Sequence, residues 1–460
     1  MRAILKWLTE FFESKAWLSS GFKRYFKNTS WLFGGQMLRM VLGLFVSVAV
    51  ARYLGPKDFG LYNFVLSIVA LVAVVTSLGL QNLAKRELVE QPEQRDAILG
   101  TCCFLSLAVG VIAYAAMLLV VGLASERSLL LSLFALLGGT LFLKPLKCIE
   151  IWFQAQVRSD LSVISSSIAL LLFAAVKIAA IYFGADLLDF AYIFLLELIV
   201  LTGLQVFFYR RHYASLLQWR MDREIAIDFL KQSWPLLLSG LAIMVYMKID
   251  QVMLGLMLGD QAVGHYSVAV RISSIWYTVP TILATSLFPA ILNARKQSAQ
   301  LYEQRLRSYF NLNAGLGYLI CVPLSFAAPL IVSILFGPEY QAAGPILAVH
   351  AWSSLFVFMG VARGQYLIAE KFFKFSLGST LVGAGLNIFM NLTLIPLYGG
   401  MGAALTTLIS FAVSGFFSSL LLVAPHHIFR LQVSSLVKTP FTSILKIRCF
   451  NNERTNSKRY

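Results

Sequence analysis

The sequence is poor in charged residues. Asp, Glu, Lys and Arg make up 13% of its 460 residues, whereas soluble domains contain about 25%. Hydrophobic residues account for 58%. This composition excludes an ordinary soluble domain and indicates an integral membrane protein.

Cysteines and cofactor motifs are also scarce. The five cysteines are odd in number and none has C-x-x-C spacing, so neither a disulfide framework nor a zinc site is indicated. The sequence has no P-loop, nucleotide-binding fingerprint or cluster of metal ligands. We therefore expect no cofactor and no resident metal, and ATP-driven transport by this chain alone is disfavoured.

What the sequence has instead is long apolar runs. A membrane-spanning helix needs about 20 mostly apolar residues, and twelve segments meet this requirement. They are residues 31–51, 61–81, 97–123, 128–147, 161–183, 187–209, 233–258, 266–291, 311–336, 345–369, 376–397 and 402–424. The predicted fold is an all-α integral membrane protein with about twelve transmembrane helices.

Lys and Arg predict the orientation of these helices, because basic residues concentrate in cytoplasmic loops. The two termini and the loops after even-numbered spans carry 28 of them, and the loops on the other side carry 3. Both termini are therefore predicted to be cytoplasmic. The same bias explains most of the net charge of +16, so nucleic acid is not expected as a partner.

The segments outside the spans are short or terminal. The longest predicted outer loop, 52–60, cannot hold a folded domain. Residues 1–30 show the 3.6-residue apolar period of an amphipathic helix lying on the inner surface, with a disordered basic leader as the alternative. Residues 425–460 are predicted to form a basic cytoplasmic tail.

The chain contains an internal repeat at a separation of 204 residues. Residues 54–62 align with 258–266, and the Leu-Gly pair, the second glycine and the tyrosine are identical. Both copies connect the first and second spans of a six-span block, which predicts lobes 31–209 and 233–424 joined by a basic linker, 210–232. The glycines are expected to allow a tight turn at the membrane surface.

Several short motifs accompany the repeat. The first half contains Arg52-Tyr53-Leu54-Gly55-Pro56, Phe59-Gly60-Leu61-Tyr62 and Ser77-Leu78-Gly79-Leu80, and the second contains Lys248-Ile249-Asp250, Leu254-Gly255, Val263-Gly264, Tyr266-Ser267, Ala269, Arg271-Ile272 and Phe288-Pro289. With these motifs the chain resembles the polysaccharide-exporting flippases, the Wzx-type O-antigen translocases. The resemblance covers about residues 30–425, and its motifs mark the superfamily shared with multidrug exporters better than they mark a substrate.

The resemblance implies a two-lobed helical transporter of the MATE-like MOP superfamily. Such a protein would carry a polyprenyl-pyrophosphate-linked oligosaccharide, for example an O-antigen unit of lipopolysaccharide or another surface polysaccharide unit, from the inner to the outer leaflet of a bacterial plasma membrane. Its implied partners are this glycan, membrane lipids, a polysaccharide polymerase and a chain-length regulator. No sugar-specific residue can be carried over from the family.

Charged residues inside the spans are costly, at about 2.5 to 3.5 kcal/mol each near the bilayer centre on the mildest scale. Five of them are cations: Arg39, Lys177, Lys248, Arg271 and Arg363. We expect these to line a water-filled cavity between the lobes and to bind pyrophosphate, which Arg contacts in bidentate fashion and Lys as a point charge. The alternatives are that Arg363 and Lys177 snorkel to the interfaces, or that charges pair between helices.

The two carboxylates inside the spans, Asp250 and Glu197, are candidates for binding a coupling proton or sodium ion. Asp250 lies two residues from Lys248, about 200° around the helix, so these two side chains cannot pair. Arg271 is a candidate partner for Asp250, and a structural salt bridge is the alternative to a coupling role. In the repeat, Lys248, Asp250 and Arg271 align with Leu44, Val46 and Ser67, so the scaffold is duplicated and the charges are not.

Two other functions compete with the flippase. A cation-coupled multidrug exporter of the same superfamily needs carboxylates in its cavity, whereas the spans, away from their ends, hold five cations and two anions, which favours an anionic substrate. A membrane enzyme, such as an oligosaccharide polymerase or a polyprenyl-dependent glycosyltransferase, needs catalytic acids on a sizeable outer loop. The outer loops are too short for that, so we do not expect an enzyme.

Overall fold

The computed structural model describes residues 20–213, 215–421 and 426–442. Within these ranges every regular element is helical and no strand occurs. Nine helical segments of the described chain are long and apolar enough to cross a membrane. The predicted all-α membrane fold is therefore confirmed. Most of the predicted amphipathic N-terminal segment, residues 1–19, lies outside the described residues.

The first half of the chain contains seven α-helices. They are α1 (Ser20–Ser77), α2 (Leu80–Glu90), α3 (Arg95–Ala124), α4 (Ser128–Gly138), α5 (Cys148–Ala155), α6 (Ser159–Tyr182) and α7 (Leu187–His212), with 3-10 turns at Pro92–Gln94, Gly139–Phe142 and Lys144–Lys147. The 58-residue α1 is far longer than one membrane crossing, and its backbone breaks at Gly55, where φ is 73° and Pro56 follows.

The second half contains eight α-helices. They are α8 (Arg223–Leu258), α9 (Asp260–Ser274), α10 (Thr278–Gln297), α11 (Ala299–Phe336), α12 (Ala343–His350), α13 (Ser353–Ala369), α14 (Phe373–Gly415) and α15 (His426–Thr442), with 3-10 turns at Leu216–Gln218, Ile275–Tyr277, Pro338–Tyr340 and Phe417–Leu421. Helix α14 breaks at Gly399, where φ is 58°, three residues after Pro396. Both long helices therefore turn at a glycine that accepts a left-handed backbone.

The twelve predicted spans do not correspond to twelve separate long helices. Helices α1 and α14 each cover two predicted spans, one on either side of the glycine break. The eighth predicted span is divided between α9 and α10, and these two helices are not among the nine segments that meet the length and apolarity criteria. The count of twelve crossings stays a prediction.

The turns predicted to face outward lie together in the structure. The Tyr53 hydroxyl donates to the Ala185 carbonyl at 2.9 Å, and the Tyr340 hydroxyl donates to the Ala51 carbonyl at 2.8 Å. These bonds connect segments that are 132 and 289 residues apart in the chain. We call the segments 51–60, 124–128, 182–187, 258–266 and 336–343 the outer turns. Their proximity agrees with the predicted alternation of the spans.

The hydrophobic cores show how the two halves meet. One core contains buried residues of both halves, including Val65 and Leu133 from the first and Val263 and Leu347 from the second, and it lies next to the outer turns. Two further cores lie away from these turns. One is built from α2, α3, α5, α6 and α7 with the start of α8, and the other from α10, α11, α13 and α15. The halves thus share a core at the outer turns, and elsewhere each has its own core, apart from the start of α8, which joins that of the first half.

The linker between the halves is fixed to α3. The Asp222 side chain caps α8 by accepting from the backbone N–H of Glu224 at 2.9 Å and of Ile225 at 3.1 Å. Its own backbone N–H donates to the Thr101 hydroxyl at 2.9 Å. Beyond the last span, α15 packs against α11. The predicted basic tail therefore begins with a packed helix, and residues 443–460 lie outside the described residues.

Candidate functional site

Asp250 lies inside α8 and is only 2% exposed. Its carboxylate accepts hydrogen bonds from the Tyr266 hydroxyl at 2.6 Å, from the Asn391 amide at 2.5 Å and from the Thr407 hydroxyl. Tyr266 belongs to α9, and Asn391 and Thr407 lie on opposite sides of the break in α14. A buried carboxylate is thus held by three neutral donors, all from the second lobe.

Arg271, the candidate partner for Asp250, forms no salt bridge with it, and no salt bridge to Asp250 occurs among the described residues. The surroundings of the carboxylate contain further polar atoms. Asn391 also donates to Asn387 at 3.1 Å, and its own carbonyl oxygen is buried without a hydrogen-bond partner. Next to Tyr266, the Ser273 hydroxyl lies 2.8 Å from His350 Nδ1. We call Asp250, Tyr266, Asn387, Asn391 and Thr407 the Asp250 cluster, a polar site enclosed by apolar helices.

Lys248 and Arg271 lie together between the lobes. They stand 11 and 12 residues from Gly259, which places both about 17 to 18 Å along their helices from the same outer turn. The two cations are close enough for their charges to repel, and Arg271 also lies near Tyr62 of the first lobe. Arg271 is exposed although its neighbour Ile272 is buried, so its side chain faces an open space inside the protein.

Gln251 connects this pair of cations to the first lobe. Its side-chain oxygen accepts from Lys248 Nζ at 3.5 Å and from the hydroxyl of Ser67. Ser67 belongs to α1 and is fully buried. We call Lys248, Gln251, Arg271 and Ser67 the interlobe cluster. It brings together Arg271 and the residue that aligns with it in the repeat, Ser67.

The remaining predicted cations lie elsewhere. Arg39 is an exposed residue of α1 and donates to Gln36 at 3.2 Å, one turn away. Lys177 of α6 forms an ion pair with Glu197 of α7 at 2.5 Å, and both side chains are less than one-fifth exposed. This pair joins two neighbouring helices of the first lobe, which was the alternative interpretation of these charges.

Arg363 also makes contacts within one lobe. It is 4% exposed and donates to the Ser414 carbonyl and, at 2.9 Å, to the Ser379 hydroxyl. Its guanidinium lies 5.1 Å from the centre of the Phe375 ring. These contacts connect α13 to both ends of α14, so Arg363 does not belong to the interlobe cluster.

Several residues of the Asp250 cluster were not predicted. Asn387 and Asn391 are fully buried and lie four residues apart in an apolar span, so they share one face of α14. Their spacing could have identified them as site residues from the sequence, because amides in a membrane need hydrogen-bond partners. Tyr266 and Thr407 gave no such signal, since isolated hydroxyls are common in spans.

These two clusters can do different chemistry. The interlobe cluster offers two positive charges in an open space, which suits an anionic group. The Asp250 cluster offers an enclosed carboxylate with hydroxyl and amide oxygens around it, which suits a proton or a hard cation. The Asp250 cluster draws on one lobe alone, whereas the interlobe cluster needs both.

Architecture and charge distribution together define a class of protein: a helical membrane protein with two halves and charged residues between them. The chain belongs to the polysaccharide biosynthesis protein family, whose sequence model matches residues 25–295, more than half of the chain. The probable flippase AglR of Haloferax volcanii is a relative that is 24% identical over 390 residues, covering 82% of this chain and 79% of the relative. The resemblance inferred from the motifs is therefore confirmed.

Solved structures show the same fold. The chain is similar to lipid II flippase MurJ in an inward closed conformation, with a TM-score of 0.69, 15% identity and coverage of 90% of this chain and 91% of that one. It is also similar to an inward-facing multidrug resistance MATE transporter of the MOP superfamily, with a TM-score of 0.63, 16% identity and coverage of 88% and 96%. The predicted MATE-like fold is confirmed, and the relatives are transporters rather than enzymes.

Proposed function

We propose that this protein is a flippase that moves a polyprenyl-pyrophosphate-linked oligosaccharide across the bacterial plasma membrane by alternating access. The family membership and the flippase relative support a role in glycan export. The observation that carries the proposal is the interlobe cluster, where Lys248 and Arg271 stand together with no carboxylate paired to either among the described residues. A diphosphate group would neutralise both charges.

Within this proposal Lys248 and Arg271 hold the diphosphate at mid-depth, and Arg39 contacts it nearer the cytoplasm. Lys177 and Arg363 were predicted for the same cavity, but their charges are already engaged by Glu197 and by Ser414 and Ser379, so we leave them out. The prenyl chain stays in lipid while the headgroup crosses between the lobes. The shared core at the outer turns supports an inward-facing state of this cycle.

The multidrug exporter is the less favoured function. An exporter of organic cations needs free carboxylates in the space between the lobes. Glu197 is paired with Lys177, and Asp250 is enclosed within the second lobe by neutral donors. In the part of the chain that the structure describes, the charges that face the interlobe space are therefore positive.

We propose that Asp250 binds the coupling ion, either a proton or sodium. The carboxylate lies within reach of the Tyr266 and Thr407 hydroxyl oxygens, and Asn391 contributes a carbonyl oxygen that lacks a partner. Because Thr407 and Asn391 flank the break in α14, binding at Asp250 would change how the two segments of this helix pack. Glu197, the other candidate, is held by Lys177.

For the membrane topology and the lobe boundaries, we propose the arrangement predicted from the sequence. Both termini lie in the cytoplasm, lobes 31–209 and 233–424 flank a linker at 210–232, and residues 425–460 follow on the cytoplasmic side. A polysaccharide polymerase and a chain-length regulator would use the exported unit.

Transport in proteoliposomes tests the flippase function. A fluorescent polyprenyl-pyrophosphate oligosaccharide should cross in the presence of the protein, and a matched lipid lacking the diphosphate should not. Lys248→Met and Arg271→Met should each slow transport at least tenfold, whereas Lys57→Met in an exposed outer turn should not. Equal transport of both lipids by the wild type would contradict an anionic substrate.

A further inference from the structure

A second cationic site lies in the first lobe, away from the interlobe cluster. A cavity of about 220 Å³ opens between α1, α2, α3, the 3-10 turn Lys144–Lys147 and α8. Its polar lining consists of Ser77, Gln81, Ser106, Lys144 and Lys147. The volume far exceeds the roughly 10 to 15 Å³ that one water molecule needs, and among the described residues no Asp or Glu contributes to the walls.

The two lysines share one short turn. Residues three apart in a 3-10 helix stand above each other, so Lys144 and Lys147 present their side chains in the same direction. Lys144 has Lys147, a group of the same sign, as a charged neighbour. No salt bridge involves either lysine among the described residues. Glu150, the next acidic residue along the chain, accepts instead from Gln154 at 3.4 Å.

Two neighbouring ammonium groups without a counter-ion are unfavourable in a partly buried site, because their repulsion is poorly screened there. Lys144 is only partly exposed, so water does not fully solvate it. The hydroxyls of Ser77 and Ser106 and the amide of Gln81 add neutral groups that can donate to an oxyanion. A cavity with two cations and several donors and no carboxylate has the chemistry of a phosphate site.

The cavity also leads to the interlobe cluster. Its wall includes Met244 of α8, which lies one helical turn before Lys248 on the same face. On α1, the lining residues Ala70 and Val74 continue the face that carries Ser67. A group that left the lysines and moved along these two helices would reach Lys248 next.

We propose that Lys144 and Lys147 bind the diphosphate of the lipid-linked substrate before it passes to Lys248 and Arg271, an inference that rests on the proposed function. The turn acts as a first docking point on the cytoplasmic side, and the interlobe cluster as the second. The same chemistry would also hold the headgroup of an anionic phospholipid, so the experiment has to separate these two sources.

Binding of inorganic pyrophosphate measures the site directly. We would use the full chain in nanodiscs of phosphatidylcholine and titrate pyrophosphate by calorimetry. The background is Lys248→Met with Arg271→Met, because this removes the interlobe site. Pyrophosphate should still bind in this background. Its affinity should fall at least tenfold when Lys144→Gln and Lys147→Gln are added. The affinity should be restored when Lys144→Arg and Lys147→Arg are used instead. Lys231→Gln, at the exposed start of α8, is the matched control and should bind normally.

Absence of binding in the background variant, with the protein folded by its thermal transition, would overturn the inference. So would equal affinity of the glutamine and control variants. A second titration in nanodiscs containing phosphatidylglycerol separates the ligands. Pyrophosphate binding that is unchanged by this lipid supports substrate docking, and its loss would assign the lysines to a phospholipid headgroup instead. If pyrophosphate binds as expected but the wild-type protein transports no lipid-linked oligosaccharide, the binding site is supported and the proposed function is contradicted.

Discussion

Gly60 and Gly264 occupy equivalent positions in the two repeats, and each lies against the backbone of the opposite half. A Cβ atom on Gly60 would stand 1.8 Å from the Asp260 carbonyl oxygen, and one on Gly264 would stand 1.9 Å from the Pro56 carbonyl oxygen. The contact is thus reciprocal, and it closes the outer turns. The first glycines of the repeats, Gly55 and Gly259, have φ values of 73° and 88° and make the turns themselves.

Replacing either second glycine with alanine should therefore force the outer turns apart. The atoms in the way belong to the backbone and cannot rotate aside, and overpacking of this kind costs about 1 to 3 kcal/mol. We expect Gly60→Ala and Gly264→Ala to lower the thermal unfolding temperature and to reduce transport at least tenfold. The measurements are thermal unfolding in detergent and lipid flipping in proteoliposomes.

Gly122→Ala is the matched control. Gly122 lies in α3, and a Cβ at this position meets no atom within 4 Å. Since alanine favours helix more than glycine does, this variant should be neutral or slightly more stable. If all three alanine variants behaved alike, the close contact between the halves would have no role in the transport cycle.

Asp250→Asn tests ion coupling. The amide keeps the size of the side chain but cannot carry a charge or exchange a proton, so we expect transport to lose its dependence on a sodium or pH gradient. Thr407→Val and Asn391→Ala should weaken the same dependence, because they remove donors to the carboxylate. Initial rates are compared with each gradient imposed separately. Glu93→Gln, in an interhelical turn, serves as the control, and a wild-type response to gradients in Asp250→Asn would end the coupling role.

Residue spacing in the sequence predicts local features but not the contacts between distant helices. The apolar runs were sufficient to predict an all-helical membrane protein, and the repeated turn was sufficient to place Gly60 and Gly264 at equivalent positions, because both are local signals. The partners of Asp250 are not local: Asn391 and Thr407 lie 141 and 157 residues away. Which helix faces meet depends on the rotation of each packed helix, and periodicity in this mostly apolar sequence does not specify it.

The cations show the same limit. Because burying a charge is costly, the sequence correctly indicated that Lys177 and Arg363 must have partners. It did not indicate whether those partners are a bound substrate or residues of a neighbouring helix. Lys144 and Lys147 stand at the end of the fourth predicted span, and their place in a cavity follows from the fold of α1, α3 and α8 around them.

The pair formed by Lys177 and Glu197 should behave as a structural contact. Lys177→Met alone leaves the Glu197 carboxylate unpaired inside the membrane, which costs on the order of 2.5 to 3.5 kcal/mol. The double variant Lys177→Met with Glu197→Leu removes both charges and should recover most of the lost stability. Thermal unfolding of the two single variants and the double variant checks this. If the double variant were as unstable as the sum of the single ones, the pair would not be the reason for the losses.

Arg363 should contribute to stability and not to diphosphate binding. Arg363→Met removes the donors to Ser414 and Ser379, and hydrogen bonds from a charged group contribute about 1.5 to 3 kcal/mol each. We expect a lower unfolding temperature with unchanged pyrophosphate affinity in the folded fraction. Arg307→Gln is the control, because Arg307 is 51% exposed and forms a salt bridge with Glu303 one turn away. A loss of pyrophosphate affinity in Arg363→Met without a loss of stability would return Arg363 to the substrate cavity.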